Sequence, residues 1–202
     1  MNGRSRGRPA SPEITQALLA AAREVMQEKG YGSLTVDGLT ARVGTSRPAF
    51  YRRFPTLGHL ACEVLLNEYQ ASEAGSEGNL ETDLLRLQQE DLAMFTSPLM
   101  RKNLVGLLEA VRSDSSLRDL YRTRFISPRR QNVERLISSA VRREEIPPPS
   151  VSLALINDLL VGPLLSRAVL PLEEPLDDEL AQETVSVVMS VLRDSSSERP
   201  GG

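Results

Sequence analysis

Five neighbouring side chains have the types and the spacing to contact nucleic acid. Arg47 can form two parallel hydrogen bonds with the edge of guanine, and Ala49 or Tyr51 can meet a thymine methyl group. Arg52 or Arg53 adds a further cation on the polar side of the segment. Each of these residue types is common on protein surfaces, so the chemistry depends on one element presenting them together.

The segment that carries these side chains spells two short helices joined by a tight turn. Apolar residues recur with helical spacing from Val36 to Val43. Gly44 can adopt the positive φ found just past a helix end, and Ser46 can cap the helix that follows. Pro48 fits the first turn of that helix, where a missing N–H costs nothing. The pattern predicts a helix-turn-helix, whose basic second helix is shaped for the DNA major groove.

A longer helix is predicted ahead of the motif. Ser11, Pro12 and Glu13 supply an N-cap, a proline at the first helical position and an acid near the positive helix end. An apolar stripe follows, and Gly30 and Gly32 close the segment. Three helices in roughly the first 55 residues make a small domain with its own core.

A wider pattern of spaced residues runs through about residues 10 to 62. Its members are Ile14, Ala21, Ala22, Lys29, Gly30, Tyr31, Leu34, Thr35, Val36, Leu39, Val43, Gly44, Thr45, Ser46, Phe50, Tyr51, Phe54, Pro55 and Leu60. The pattern resembles the N-terminal domain of tetracycline-repressor-type (TetR/AcrR) transcriptional regulators. The rest of the chain resembles that family in length and helical character.

The resemblance implies an all-α protein with an N-terminal three-helix helix-turn-helix domain and a C-terminal helical domain for ligand binding and dimerisation. It also implies that Tyr51 and Arg53 grip the DNA backbone. Leu57 stands where the family often carries Lys, and Gly38 lies inside the first motif helix at a cost of up to about 1 kcal/mol relative to Ala. The predicted DNA-binding set is Arg6, Arg8, Thr35, Thr45, Ser46, Arg47, Pro48, Ala49, Tyr51, Arg52 and Arg53.

Charge is distributed unevenly along the chain. Residues 1–60 hold nine Lys and Arg against four Asp and Glu, a balance of +5, whereas the rest holds 15 against 23, a balance of −8. The basic end is suited to meet phosphate. Within the polar residues 1–10, Arg6 and Arg8 resemble the core of short arms that enter the DNA minor groove, although a flexible tail that only aids solubility explains them equally well.

Beyond the motif the chain reads as successive helices. The predicted boundaries assign residues 11–56 to the helix-turn-helix domain, 57–193 to the effector-binding and dimerisation domain, and 194–202 to a disordered tail. A kink or helix break is expected at Pro128, and the prolines in 146–150 form a stiff connector. The predicted helices after the motif are residues 57–73, 80–96, 99–112, 117–145, 151–170 and 177–192.

The segment 151–170 is almost continuously apolar, which predicts a helix covered on nearly all sides. In the family, the final two helices pair with their copies from a second subunit as a four-helix bundle. The resemblance therefore implies a homodimer, and a two-fold dimer fits a pseudo-palindromic DNA operator. Burial inside the monomer is the alternative. The predicted interface residues are Leu160, Leu164, Val188 and Val191.

The resemblance also implies a small-molecule cavity among the middle helices. The candidate lining is largely apolar, which suggests a small apolar effector of lipid-like, polyketide-like or terpenoid character. Most of these residues could equally belong to plain core. The predicted ligand-binding residues are Met94, Phe95, Met100, Leu104, Leu108, Tyr121, Phe125 and Asn157.

Enzymatic chemistry finds little support in the sequence. His59 and Cys62 are the single histidine and the single cysteine, too few for a zinc site of His and Cys ligands. Three apart on a helix, they could act as base and thiol, or be a surface or domain-contact histidine and a small buried cysteine. Asp177, Asp178 and Glu179 could bind a metal, but stabilisation of a helix dipole explains them without one. We predict no enzymatic activity, cofactor or metal.

The overall composition is ordinary for a globular protein. The chain has 202 residues, of which 40% are hydrophobic and 25% charged, and it shows neither a signal peptide nor a long apolar run. A cytoplasmic protein without membrane contact is expected. The sequence predicts a repressor released from its operator by a small apolar effector. The alternatives are a constitutive or architectural DNA-binding protein and, more remotely, an enzyme with a DNA-binding head.

Overall fold

The computed structural model describes residues 12–69, 78–170 and 173–194, which are helical with no strand in these ranges. The chain divides into two compact units. Unit 1 comprises residues 12–68 and 102–120 of the described chain, and unit 2 comprises 69–101 and 121–194, less the gaps. The predicted arm with Arg6 and Arg8, and the predicted tail beyond residue 194, lie outside the described residues.

Unit 1 contains the three predicted N-terminal helices. Helix α1 buries Leu18, Ala22 and Met26 on its apolar stripe, and it packs against both α2 and α4. A short 3₁₀ turn follows α1 and leads into the motif. The helices are α1 (Pro12–Lys29), α2 (Val36–Val43), α3 (Arg47–Tyr51) and α4 (Leu57–Glu68), so α4 ends earlier than the predicted residue 73.

Residues 102–120 belong to unit 1, although the sequence pattern assigns them to the C-terminal domain. Their polar side chains bind the C-terminal end of α1, where backbone carbonyls lack helical partners. Lys102 Nζ donates to Gln27 O at 2.8 Å, and the buried Asn103 Nδ2 donates to Met26 O at 3.0 Å. These bonds join segments about 75 residues apart in the chain, a distance that helical periodicity does not report.

Unit 2 is built around α5, which packs against three later helices, α8, α9 and α10. Its core combines leucines of α5 with apolar residues from those three helices. Side chains cap the helix starts: Asn79 Oδ1 accepts from Thr82 N at 2.8 Å, and Ser152 Oγ accepts from Leu155 N at 3.2 Å. The remaining helices are α5 (Leu80–Thr96), α6 (Pro98–Ser113), α7 (Ser115–Tyr121), α8 (Ser127–Arg142), α9 (Leu153–Val169) and α10 (Asp178–Asp194).

The helix break predicted at Pro128 is confirmed. A single π-helical turn, Arg122–Ile126, separates α7 from α8, and Pro128 lies in the first turn of α8. A residue in the first turn of a helix has no intrahelical acceptor for its N–H, so proline, which lacks that N–H, is tolerated there. The wider π turn lies directly before this first turn. Such turns occur often beside functional sites.

Helix α9 is less enclosed than its apolar sequence predicts. It buries Ile156, Leu160 and Leu164 completely, yet Leu155 remains 46% exposed. Helix α10 likewise buries Val188 but leaves Val187 53% exposed. The two helices pack against each other within the chain, so one side of each is core and the other is open in the monomer. Within the described ranges, no helix is both long and apolar enough to cross a membrane.

Candidate nucleic-acid interface and ligand cavity

The turn between α2 and α3 has the geometry that the sequence predicts. Gly44 adopts a left-handed conformation with φ of 70° just after α2. Ser46 Oγ caps α3 by accepting from Ala49 N at 3.4 Å. The backbone therefore turns within three residues and sets α3 across α2 as a helix-turn-helix.

Gly38 contributes to the capping of α2, although glycine has a low helix propensity. Its N–H donates to Thr35 Oγ1 at 3.1 Å, which caps the start of α2. A Cβ on Gly38 would lie 2.8 Å from the same Thr35 oxygen. The missing side chain thus leaves room for the cap, and this offsets part of the cost of glycine inside a helix.

Most of the predicted DNA-binding residues are exposed on or near α3. Ala49 is a correction: it is 6% exposed because it faces the core beside Phe50, so it cannot meet a thymine methyl group. The Tyr51 ring is 54% exposed and stands edge-on to Phe50 with centroids 5.3 Å apart, which fixes its direction. The exposed members are Thr35, Ser46, Arg47, Pro48, Tyr51 and Arg52, and the half-buried ones are Thr45 and Arg53.

Arg47 is held by an acidic partner that the sequence interpretation missed. Its Nε and Nη2 donate to the two carboxylate oxygens of Asp37, on α2, and both side chains are more than 60% exposed. These hydrogen bonds lower the pKa of the Asp37 carboxyl below its ordinary value. The guanidinium is thus oriented before it meets a ligand. The available signal was an acid in the first turn of α2, within reach of α3.

Arg52 and Arg53 follow α3 rather than lie in it, and they have different surroundings. Arg53 Nε donates to Thr15 Oγ1 at 3.0 Å, and its Nη1 donates to Ala49 O at 2.7 Å. Arg53 therefore ties α1 to the end of α3. Arg52 is exposed, which makes it the better placed of the two for a phosphate.

The two ring nitrogens of His59 have polar partners other than Cys62. His59 is buried in unit 1, so of the two expected positions, surface or domain contact, the surface one is wrong. Its Nδ1 lies 2.9 Å from Thr56 Oγ1 and its Nε2 lies 3.2 Å from Ser116 Oγ, so both ring nitrogens join α4 to neighbouring segments of the unit. Cys62 is buried, as expected of a small apolar residue.

The acids at the start of α10 have a local explanation. Asp177 Oδ1 accepts from Leu180 N at 3.1 Å, as an N-cap does, and Asp178 and Glu179 fall in the first turn. Across the described ranges, no group of three or more His, Cys, Asp or Glu side chains is arranged to hold a metal ion.

Unit 2 encloses a cavity of about 230 Å³. Five of the predicted ligand-binding residues line it: Met94, Phe95, Tyr121, Phe125 and Asn157. The sequence interpretation did not include the other seven, of which four are charged and three apolar: Asp91, Ile126, Arg129, Arg130, Asp158, Val161 and Leu165.

Met100, Leu104 and Leu108 are not among the residues that line this cavity. Met100 and Leu104 are almost fully buried, and both Leu104 and Leu108 belong to unit 1. Their apolar spacing on α6 records burial in a core, which periodicity cannot distinguish from a cavity wall. We therefore do not place them in this cavity.

A buried polar network forms one wall of the cavity. Arg129, on α8, donates through Nε to the Asp91 carboxylate on α5, with which it forms an ion pair, and its Nη2 donates to Gln88 Oε1 at 3.1 Å. Gln88 Nε2 in turn donates to Leu160 O of α9 at 2.8 Å. Burial raises the pKa of the Asp91 carboxyl, and Arg129 opposes that rise. An acid on the inward stripe of α5 was the sequence signal for such a partner.

Three of the four predicted interface residues are core residues of the monomer. Leu160, Leu164 and Val188 have no exposed surface, so they cannot form the dimer interface. Val191 is half-buried. The open apolar surface is offset from them by one or a few residues, and it includes Leu155 of α9 and Val187 of α10.

Comparisons with known proteins agree across both units. Residues 18–61 match the model for bacterial regulatory proteins of the tetR family, and residues 75–188 match the tetracyclin repressor-like C-terminal domain. The chain is 30% identical over 192 residues to the HTH-type transcriptional regulator Rv1556 of Mycobacterium tuberculosis, covering 93% of this chain and 92% of that protein. It is 30% identical over 185 residues to the DNA-binding transcriptional repressor TetR of Mycobacteroides abscessus, covering 87% and 92%.

Solved structures show the same fold. The TetR family transcription regulator SCO0332 superposes with a TM-score of 0.67 at 24% identity, over 89% of this chain and 98% of that one. The transcriptional regulator FadR from Bacillus subtilis, in complex with stearoyl-CoA, gives a TM-score of 0.66 at 14% identity, over 87% and 98%.

Proposed function

Because the chain belongs to the tetR family of bacterial regulatory proteins, and is therefore a helix-turn-helix transcriptional regulator, we propose that it acts as a homodimeric repressor released by a compact ligand. The proposed operator is pseudo-palindromic, since a two-fold dimer presents two equivalent recognition helices. Arg47, Tyr51 and Arg52 of each copy would contact it. The ligand would occupy the cavity lined by α5, α8 and α9.

The cavity is the observation that carries the release mechanism. Its volume of about 230 Å³ exceeds that of an ordinary packing defect, yet it lies below the roughly 300–1,000 Å³ usual for drug-sized ligands. A compact effector therefore fits better than a long acyl chain.

The operator is obtained by selecting genomic fragments that the full-length protein binds. An effector found by thermal-shift screening should then lower operator affinity by about 5–150-fold, the usual range of coupling between two sites. The operator must lower effector affinity by the same factor, because coupling is reciprocal. Fluorescence anisotropy and calorimetry measure the two factors. Indifference of operator affinity to every cavity ligand would identify a constitutive regulator.

A matched pair of variants tests whether the effector binds in this cavity. Val161 lines the cavity, whereas Val105 is 55% exposed in unit 1. Val161→Trp should fill the cavity and leave a protein that binds the operator but ignores its effector. Val105→Trp should respond like the parent protein. A normal response by Val161→Trp would exclude this cavity as the effector site.

The two arginines after α3 allow a second test at the DNA surface. Arg52→Gln should lower the slope of log affinity against log salt by about one, because one phosphate contact is lost. Its unfolding free energy should change by no more than about 0.5 kcal/mol, since Arg52 is exposed. Arg53→Gln removes bonds to Thr15 and Ala49 and should cost about 1 kcal/mol of stability.

Salt titrations of DNA binding, paired with urea unfolding, separate these two effects. If only Arg53→Gln lowers the salt slope, Arg53 is the residue that grips phosphate and Arg52 is not.

A further inference from the structure

Two of the residues that line the cavity each carry a buried polar atom without a hydrogen-bond partner. These atoms are Nη1 of Arg129, a donor, and Oδ1 of Asn157, an acceptor, and both atoms are buried. Both residues line the same cavity of about 230 Å³. Buried polar groups in native proteins are nearly always paired, so unpaired atoms beside a cavity indicate what a ligand would supply.

Neither atom can easily gain a hydrogen-bond partner by rotation of its side chain. The Arg129 guanidinium is fixed through Nε and Nη2 to Asp91 and Gln88. Asn157 Nδ2 donates to Leu153 O at 2.8 Å, so exchanging the amide oxygen and nitrogen would bring two oxygens together. The wall therefore offers one fixed donor and one fixed acceptor.

The charges around the cavity are already balanced. Its two cations are Arg129 and Arg130, and each forms an ion pair with an acid that also lines the cavity, Asp91 and Asp158 respectively. A charged ligand would bring a charge with no counterpart of its own beside the buried Arg129–Asp91 pair. The arrangement favours a neutral polar group.

The apolar part of the cavity favours a flat ring. Tyr121 and Phe125 are stacked with centroids 5.1 Å apart and an interplanar angle of 12°. Aromatic faces of this kind pack well against another ring. A cavity of about 150 Å³ can hold benzene, so 230 Å³ suits a ligand of about nine or ten heavy atoms.

We propose that the effector class is a compact aromatic compound with a neutral group carrying both an acceptor and a donor, as a primary carboxamide does. The acceptor of the ligand would accept a hydrogen bond from Arg129 Nη1, and its donor would donate a hydrogen bond to Asn157 Oδ1. This inference rests on the proposed function only for the statement that the cavity holds the effector; the recognition chemistry stands on the cavity itself.

Four isosteric compounds test the chemistry: phenylacetamide, phenylacetone, phenylacetate and isobutylbenzene. They share a benzyl group and differ in the terminal group, which is respectively donor and acceptor, acceptor alone, charged, and apolar. Calorimetry on the full-length protein without DNA should show phenylacetamide binding about tenfold more tightly than phenylacetone. Isobutylbenzene should bind more weakly than either.

A substitution of Asn157 tests the proposed contact between this residue and the hydrogen-bond donor of the ligand. Asn157→Leu keeps the side-chain size and should bring the phenylacetamide to phenylacetone ratio to about one while retaining isobutylbenzene binding. Arg193→Gln, which alters an exposed ion pair with Glu81 and does not line the cavity, should keep the parent ratio. Thermal melting checks that both variants fold, and retained isobutylbenzene binding shows that the cavity of Asn157→Leu is intact.

Each other outcome overturns the inference in an identifiable way. Equal affinity for phenylacetamide and phenylacetone in the parent removes the Asn157 contact, tightest binding of phenylacetate removes the neutral group, and no binding of the series removes the ligand class. Selective amide binding with unchanged operator affinity would instead sustain this inference and overturn the release mechanism.

Discussion

Val187→Asp should give a folded monomer that no longer binds its operator with useful affinity. Val187 is 53% exposed on α10, so a charge there costs the isolated chain no more than about 0.5 kcal/mol. In a dimer joined through α9 and α10, the same charge would be buried without a partner, at about 3–5 kcal/mol. Loss of the dimer halves the DNA contacts and removes the two-fold match to the operator.

The adjacent residue is the matched control. Val188 has no exposed surface and lies in the unit 2 core, so Val188→Asp should unfold or loosen that unit itself. Analytical ultracentrifugation reports the oligomeric state, and circular dichroism reports the fold. If Val187→Asp and the corresponding change at Leu155 both remain dimeric, the subunits meet elsewhere.

Arg47→Ala should lower affinity for the operator by about 1–3 kcal/mol and affinity for scrambled DNA by much less. A bidentate guanidinium–guanine contact has that value and occurs only at the correct base. The measurement is anisotropy on both duplexes at one salt concentration, because phosphate contacts change strongly with salt. Equal loss on the two sequences would mean that Arg47 contacts only phosphate.

Asp37→Asn provides the companion variant. It removes a negative charge beside the DNA surface and the bidentate partner of Arg47. Binding to scrambled DNA should strengthen, while the preference for the operator should fall, because the guanidinium is no longer held in one orientation. A preserved preference would show that Asp37 does not orient Arg47 for base contact.

The sequence alone determined the features that depend on near neighbours. Gly44, Ser46 and Pro48 specify the turn between α2 and α3, because φ preferences and capping act within a few residues. The break ahead of Pro128 and the extent of α5 follow from the same local rules. The resemblance to a family of regulators was also visible in the sequence, because the residues that carry it fall within one segment of about 50 residues that contains the helix-turn-helix.

The tertiary structure decided which apolar residues are core, surface or cavity. Val187 and Val188 are alike as residues, yet one is open and the other buried because α10 rotates a fixed face toward α5 and α9. Leu104 and Phe95 both lie on apolar stripes, but only Phe95 lines the cavity. Periodicity identifies the buried side of a helix and does not reveal what that side meets.

The tertiary structure also decided the state of the functional charges. Asp37 orients Arg47, Thr15 engages Arg53, and Asp91 neutralises Arg129 across 38 residues of chain. Each pair forms because the packing of the helices brings the two side chains within a few ångströms, where Coulomb attraction and hydrogen bonding become strong. The sequence supplies the residue types, but their partners, and hence the chemistry each can offer to DNA or ligand, depend on how the helices pack.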